Sequence, residues 1–436
     1  MNTAKVAIIG FGTIGSGVAK LLLEQTDRIS RHAGRRVELV QVLDPDLTRP
    51  RNVQLPPGML TNDLSKITGN PEITAVVQLI GGIEPDRTIM LKVLESGKDV
   101  ITANKALLAQ CGQELFDRAR QLGRSIAFEA AVAGGVPIIA AINECLTANQ
   151  IQSIHGILNG TSNFILSQME EQGATYRDAV AEAQRRGYAE ANPAMDVDGS
   201  DAAQKLSILA HLAFGARVGW RDIPRTGIDT VEVIDIRFAR EFGYTIKLLA
   251  VAELVPDGLE LHVSPTLVRR GSPLAEVRGA YNAIRVVGDA VGRVFFQGLG
   301  AGQMPTASAV TADLVSTILG RTAITFRTLN LWSEQRQVRF VARDPAKIPG
   351  RFYLRFNVED RPGVMSEITG VLGREGISIA SVIQHEPEEE NDGAPGAVPL
   401  VIMTHTATEG CMSAAMDQIS HLGCVRPASV RMRVRN

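Results

Sequence analysis

The chain has 436 residues, 21% of them charged, with a formal net charge of -2 at pH 7. That length exceeds one ordinary core and predicts two or three domains, and the near-neutral balance gives no electrostatic reason to expect nucleic acid or an acidic membrane surface. A small molecule is left as the default partner, and Cys111, Cys145, Cys411 and Cys424 lack the density or spacing of a disulfide framework or zinc site, as expected of reduced thiols in a cytoplasmic protein.

Taken in chain order, Lys5 to Ile9 is an apolar strand that runs into Gly10-Phe11-Gly12-Thr13-Ile14-Gly15 and then the helical text Ser16 to Gln25. Strand, glycines and helix at this spacing predict a dinucleotide cradle. Gly10 makes the tight turn, Gly12 admits a pyrophosphate to the backbone, and Gly15 lets helix and strand pack. The unpaired N–H groups at the helix start then face the phosphates. The apolar run leads into glycines instead of a cleavage site, so no secretory leader is expected, and the small-apolar stretch from Ala130 to Ile142 is too short and too broken to span a bilayer.

A second strand, Val37 to Leu43, ends in Asp44, an acid placed to take the adenine ribose hydroxyls and repel a 2′-phosphate. An insert around His32 to Arg36 accounts for its late arrival. NAD is therefore expected to serve at least as well as NADP, with Arg49 or Arg51 as the alternative phosphate partner. Ala75 to Ile80 and Asp99 to Thr102 are the next strands. Lys105 follows the second of them at the carboxyl end, where open α/β sheets place their ligands; a plain surface lysine is the competing reading. Ser125 to Ile139 reads as strand, glycine-rich turn and helix. Residues 1–135 are thus expected to form a Rossmann-like doubly wound sheet, and the chain to be α/β.

Between Ile151 and Leu166, the polar text Asn159-Gly160-Thr161-Ser162-Asn163 interrupts apolar runs, either as a turn or as a source of donors beside a substrate. Nearby His155 is expected to be structural, because no Ser or Cys arrangement accompanies it. Gly187 to Lys205 carries the most chemistry. It gathers Glu190, Asp196, Asp198, Asp201 and Lys205, with Pro193 and Gly199 holding off a continuous helix until about Ser200, the expected N-cap. Asp201 and Lys205 then stack on one helical face. A solvated loop with an exposed ion pair competes, yet carboxylates beside a lysine suit a substrate with an amine and an oxygen that exchanges a proton, or a metal.

Tyr244–Leu254, Leu259–Val263, Ala283–Val287 and Arg293–Gln297 predict strands of an antiparallel or mixed sheet, one face of which would serve a homodimer. Residues 136–344 are accordingly expected to form an α+β catalytic and dimerisation domain. Pro345 to Gly350 reads as a linker. Beyond it, strands at Phe352–Val358, Ile377–Gln384, Val398–Thr406 and Ser429–Val434 alternate with helices at Gly363–Arg374 and Gly410–Leu422, a βαββαβ order that predicts a ferredoxin-like domain over 352–436. The acidic Glu386 to Gly396 insertion reads as a flexible hairpin tip.

The text GYAEANPAMDVDGSDAAQKL, Gly187 to Leu206, resembles the signature of the homoserine dehydrogenase family, departing from it at Asn192, where Asp is common. GGIEP at Gly81–Pro85, TANKALLA at Thr102–Ala109, GILNGTSNFIL at Gly156–Leu166 and GLGAGQMPTASAV at Gly298–Val310 are similar to the family as well. Gln78 replaces a common Glu, Leu299 a Pro, and Asp44-Pro45-Asp46 lacks the Arg of a frequent V-R-D. DRPGVM at Asp360–Met365 resembles an ACT domain, a small amino-acid-sensing module.

The resemblance implies NAD(P)-linked interconversion of L-aspartate 4-semialdehyde and L-homoserine, on the route to threonine and methionine. It implies Lys205 as proton donor, with Lys105 beside the nicotinamide polarising the oxygen, or the reverse. Glu190 would bind the substrate ammonium, Asp196 would assist it or order Lys205, and Asp201 would act beside them. Gly302 would close over the cofactor, and a monovalent cation, sodium, would sit on carbonyl oxygens of Glu129, Val132, Gly134 and Val136. Threonine inhibition through the ACT domain and a homodimer or homotetramer complete the expectation. The rivals are another Rossmann-fold amino-acid oxidoreductase, which has no need of the full Glu190 to Lys205 pattern, and a non-catalytic amino-acid sensor.

Overall fold

The computed structural model describes residues 3–333, 340–385 and 397–435. Its strands, in chain order, are β1 (Ala4–Ile9), β2 (Val37–Leu43), β3 (Leu60–Thr61), β4 (Ile73–Gln78), β5 (Asp99–Thr102), β6 (Ile126–Ala127), β7 (Ile151–Ile157) and β8 (Tyr244–Val255). They continue with β9 (Gly258–Arg269), β10 (Tyr281–Gly288), β11 (Gly292–Leu299), β12 (Pro349–Glu359), β13 (Ile379–Gln384), β14 (Ala397–Thr404), β15 (Ala407–Thr408) and β16 (Val425–Arg435). The chain divides into two compact units, one of residues 1–152, 204–222 and 282–340, the other of residues 153–203, 223–281 and 341–436.

The first unit carries a six-stranded sheet in the order β3-β2-β1-β4-β5-β6, with its strand pairs parallel. β1 and β4 are almost wholly apolar and buried, as strands covered on both faces must be. The sheet grows outward in both directions from the β1/β4 pair, and the crevice above that switch point is where doubly wound sheets hold nucleotides. Helix Thr13–Glu24 leads from β1 to a second helix, Thr26–Ala33, ended by Gly34 in the left-handed region at φ 66°. This extra helix is why β2 and Asp44 come late. Helix Gln303–Ile318 returns to the sheet, and its Ala307, Val310 and Leu314 share a core with Val18, Ala19 and Leu22.

Two expectations shift here. β4 ends at Gln78, two residues short of Ile80, because the chain turns away after Leu79 N bonds Ile9 O. The segment after β6 is a 3-10 turn at Glu129–Ala131 followed by Ile138–Ala140 and a π-turn at Ala141–Cys145, in place of one regular helix.

In the second unit the strand order is β7-β8-β9-β16-β12-β14-β13, with β15 pairing β12. β8 and β9 form a hairpin in register from Tyr244↔Arg269 to Val255↔Gly258. The strand expected to stop at Val263 runs on, because Pro265 sits opposite Leu248 inside the ladder instead of ending it. The βαββαβ order appears as β12, helix Val364–Arg374, β13, β14, helix Glu409–Ser420 and β16, around a core that includes Phe352, Leu354, Ile368, Leu400 and Met412. The expected linker is instead a 3-10 turn, Pro345–Lys347, capped by Asp344, running directly into β12.

β16 also lies parallel to β9, Arg433–Arg435 against Thr266–Val268, so the C-terminal module shares a sheet with the strands before it. The Glu386 to Gly396 insertion lies outside the described residues. No helix among the described residues is long and apolar enough to cross a membrane, and Cys111, Cys145, Cys411 and Cys424 are free thiols.

Candidate active site

The glycine loop in the first unit divides its work by position. A side chain at Gly10, where φ is 95°, would strike the Leu79 backbone at 2.8 Å, and one at Gly15 would strike the Gly10 carbonyl at 1.9 Å. These two glycines serve close packing. A Cβ at Gly12 would meet nothing within 4 Å, so the loop opens at that residue. Gly12 is also the N-cap of helix Thr13–Glu24, which has neither a capping side chain nor an acid in its first turn. The cradle therefore fits a dinucleotide: open space lies where a helix start offers N–H groups to an anion.

Asp44 lies at the end of β2, and its Oδ2 accepts from Phe11 N at 2.7 Å while Oδ1 accepts from Asp46 N at 2.9 Å. Arg51 pairs with Asp44 at 3.0 Å, donates from Nε to Phe11 O at 3.0 Å, and stacks over the Phe11 ring. Arg49 and Arg51 line a cavity of about 340 Å³ with Gly12, Thr13, Ser16 and Gln303. Gly302, at φ 118°, precedes helix Gln303–Ile318, whose Gln303 Nε2 donates to Thr13 O at 2.9 Å and Ser16 Oγ at 3.0 Å. The second glycine-rich turn is thereby fastened to the first.

Lys105 opens helix Lys105–Gln121 just beyond β5 and is half-buried. Its setting depends on Asn104, which sequence reasoning missed. The Asn104 side chain caps the helix by accepting from Leu107 N, and its Nδ2 donates to Gly82 O and Asp86 Oδ2, both at 2.6 Å. Gln78, whose effect the sequence left open, donates from Nε2 to Asp86 O at 2.7 Å and to Asp86 Oδ1. Burial pushes the Asp86 carboxyl up to about 6, against the pull of the Gln78 and Asn104 amides. An amide at position 78 thus avoids setting a second carboxylate against a buried one.

The loop expected to hold a cation places Glu129 below the surface, its carboxylate accepting from Ile139 N at 2.9 Å and Ala140 N at 2.7 Å. Burial raises that carboxyl to about 7 despite these bonds. Asp313 accepts from Glu129 N at 2.7 Å, and its own burial raises it well above the usual carboxylate range. Val132, Gly134 and Val136 continue the turn, with Val136 N bonded to Ala133 O. Among the described residues no group of three or more His, Cys, Asp or Glu side chains could hold a metal ion; the expected ligands here are carbonyls.

In the second unit one amide organises the acids. Asn159 ends the β7 segment and caps helix Gly160–Gln172 by accepting from Ser162 N at 2.7 Å. Its Nδ2 donates to Asp196 Oδ1 at 2.8 Å and to Asp201 Oδ2 at 2.9 Å, drawing together two carboxylates that would otherwise repel. Ser162 Oγ donates to Asp196 O at 2.5 Å. Asp196 sits in a short helix, Ala194–Val197, ahead of helix Ser200–Phe214.

Ser200, expected as the cap, is the first residue of that helix, and the Asp198 carboxylate accepts from Ser200 N at 2.7 Å and Ser200 Oγ at 3.0 Å. Lys205, half-buried, lies on this helix one turn past the buried Asp201. Glu190 is exposed and stands outside the Asn159 cluster, its carbonyl accepting from Gln184 Nε2. His155 is buried, with Nε2 3.2 Å from Glu253 Oε2.

Comparison with known proteins agrees with this geometry. A family model described as homoserine dehydrogenase matches residues 137–315, one described as homoserine dehydrogenase, NAD binding domain, matches residues 10–129, and an ACT domain model matches residues 352–410. A homoserine dehydrogenase of Pseudomonas aeruginosa is 41% identical over 100% of this chain and 99% of its own. The crystal structure of a homoserine dehydrogenase from Thiobacillus denitrificans is similar at a TM-score of 0.91 and 39% identity, covering 100% of this chain and 98% of that one. A hyperthermophilic archaeal homoserine dehydrogenase in complex with NADPH shares the fold at a TM-score of 0.60 and 24% identity, covering 73% of this chain and 98% of that one.

Proposed function

The chain belongs to the homoserine dehydrogenase family, and from that premise we propose how its own residues divide the interconversion of L-aspartate 4-semialdehyde and L-homoserine. It is an NAD(P)-dependent oxidoreductase of amino-acid biosynthesis. Reduction requires a hydride at the aldehyde carbon and a proton on its oxygen. The dinucleotide, when bound, supplies the hydride and accepts it back in the reverse direction.

Lys205 gives the proton to the oxygen, and Lys105 holds and polarises that oxygen. Asp201, one turn before Lys205, sets a negative charge on the same helical face, and Asp196 is held beside Asp201 by Asn159. Glu190 takes the substrate ammonium. The observation that carries this division is the Asn159 amide, which donates to both carboxylates at 2.8 and 2.9 Å. Lys205→Ala is expected to cost on the order of 10² to 10⁴ in turnover, the usual loss on removing a proton donor; near-normal turnover rejects the assignment.

At the cofactor, Asp44 takes the ribose hydroxyls, and NAD serves at least as well as NADP. Support comes from the place of Asp44 at the end of β2, beside the glycine loop through Phe11 N; Arg51, which pairs with Asp44, or Arg49, both lining the cavity at Gly12, is the phosphate partner in the alternative case of NADP. A strong NADP preference in the ratio of specificity constants removes the role given to Asp44. A monovalent cation, sodium, binds the carbonyls of Glu129, Val132, Gly134 and Val136, and rates measured with and without sodium test it.

Residues 1–135, 136–344 and 352–436 form the nucleotide, catalytic and regulatory divisions of a cytoplasmic homodimer or homotetramer, the mass of which light scattering reports. Threonine acts as inhibitor through the last division. One assay of NADH and NADPH oxidation with aspartate semialdehyde, with and without threonine, examines the reaction, the cofactor and the effector together.

A further inference from the structure

Lys105 opens one helix and Lys205 lies on another, and within the first unit a single side chain touches both helices. Trp332 follows helix Arg321–Leu329, and its indole packs into a notch on helix Lys105–Gln121: a Cβ at Gly112 would lie 3.0 Å from Trp332 Nε1 and 3.1 Å from its Cε2. On that same helix the Phe116 ring is 4.6 Å from the indole, centre to centre. The other partner comes from helix Ser200–Phe214, whose His211 stacks on the indole at 4.5 Å with 20° between the planes. Gly112 comes seven residues after Lys105 and His211 six after Lys205. The indole therefore sits about two turns, roughly 10 Å, from each lysine along its helix.

The ring is fastened from both sides. His211 Nε2 accepts from Trp332 N at 2.8 Å and Nδ1 lies 3.1 Å from Ala216 O, so the imidazole carries its proton on Nδ1. The carbonyls flanking Trp332 are taken by one arginine each. Arg120, on the Lys105 helix, donates to Leu331 O at 2.7 Å, and Arg217, just past the Lys205 helix, donates to Ser333 O. Trp332 has φ 51°, as does Asn330, a left-handed setting that a bulky side chain keeps only where its surroundings over-determine it. Beside the indole lies a cavity of about 240 Å³, lined from the two helices by Leu108, Gly112, Ser207 and His211 among others. A void supplies no contacts to fix a spacing, which leaves that task to the ring.

We infer that Trp332 is a positioning residue, a spacer that sets the distance between the helices carrying Lys105 and Lys205 and so the geometry in which the two amines meet one substrate oxygen. The inference rests on the lysine roles read above. A packed helix carries a shift from one turn to the next as a rigid element, and a misplacement of about 1 Å at reacting groups costs on the order of 10²-fold in rate. A thinner or displaced ring therefore lowers kcat while the glycine cradle, and with it the KM of the dinucleotide, stays as it is.

The test is a double-mutant cycle in steady-state kinetics on the full chain. Trp332→Phe thins the spacer and Gly112→Ala pushes against it; each is expected to lower kcat roughly fivefold or more, with the KM of the dinucleotide near the parent's. The added methyl fills part of what the smaller ring vacates, so the double variant is expected to regain most of the lost kcat. Phe326→Leu is the packing control. Phe326 has one ring–ring contact among the described residues, with Phe116, and its loss is expected to lower the melting temperature and leave kcat alone. Parental kcat in both single variants, losses that multiply in the double, or an equal loss of kcat in Phe326→Leu overturns the inference. Lys205→Ala is read alongside: near-normal turnover there rejects the lysine roles and the inference with them, whereas a large loss there beside parental kcat in both single variants rejects the spacer alone.

Discussion

Asn159 does two separable things, and two substitutions separate them. Its Oδ1 caps a helix through Ser162 N, while its Nδ2 joins Asp196 to Asp201. Asn159→Ala removes both and is expected to lose about 1 kcal/mol of stability as a lost cap, together with roughly 10²-fold in kcat as the carboxylates move apart. Asn159→Asp keeps the accepting oxygen for Ser162 N but sets a third carboxylate against two others, so a similar loss of kcat should come with a melting temperature that is lowered at neutral pH by repulsion and recovers as the pH falls. Retention of activity by Asn159→Asp would show that the shared donor is unnecessary. The sequence made the polar stretch legible but not this role, because the amide's partners stand 37 and 42 residues further on, and local pattern carries no information about them.

Lys247 was equally hidden, since one lysine among the apolar residues of β8 reads as an outward-facing position. It is instead fully buried, with Nζ donating to Val277 O at 2.5 Å and to Asn163 Oδ1 at 3.2 Å. Burial pushes it down from 10.5 to about 8. Between those values the unfolded chain holds a proton that the folded chain has released, so stability should rise with pH from about 8 to 10.5, by up to about 3 kcal/mol. Denaturant titrations across that range measure the rise. In Lys247→Met it should be absent, and its persistence would assign it to another group.

At the scale of elements, the parts fixed by local pattern were legible. An apolar run followed by glycines and a helix fixes β1 and its cradle, and short runs rich in apolar residues fix β12 and β14. What joins elements was not. Asp235, in helix Val233–Glu241, is buried and accepts from Arg355 Nε at 2.7 Å and Tyr353 Oη at 2.9 Å, both on β12. Arg355 is 1% exposed, so neither charge can fall back on water. Removing Arg355 strands the Asp235 carboxylate, and removing Asp235 leaves Arg355 only the half-exposed Glu232 at 3.3 Å; breaking a buried pair in this way typically costs about 3–5 kcal/mol, whereas replacing the pair with apolar residues of similar volume is often near neutral. Arg355→Leu and Asp235→Leu should each lower the unfolding free energy by about 3–5 kcal/mol, and the double variant should recover most of it. Additive losses in the urea-unfolding cycle would show that the two charges do not depend on each other.

At the scale of the whole molecule, the βαββαβ order was readable as a separate module, but its attachment was not. Parallel pairing of β16 with β9 joins residues far apart in sequence, and nothing in either strand announces the partner. The pairing is backed by charge: Arg435 reaches Glu253 at 2.7 Å and Glu260 at 2.8 Å, and the His155 bond, with the Arg435 charge behind it, holds Glu253 down at about 2.

A chain ended at Asp344 would lose that strand. It would leave Glu260, 3% exposed in the full chain, without Arg435, and Asp235 without Arg355. It would also uncover the Thr266–Val268 edge of β9 as an unpaired strand, a template for aggregation. A module tethered only by a linker would leave the remainder unchanged on its removal. The shared sheet predicts instead that the shortened chain melts well below the full one, binds a hydrophobic dye and loses solubility with concentration. Scanning calorimetry and sedimentation of the two chains side by side decide it, since equal melting temperatures would mean that the sheet contact contributes nothing to the catalytic strands.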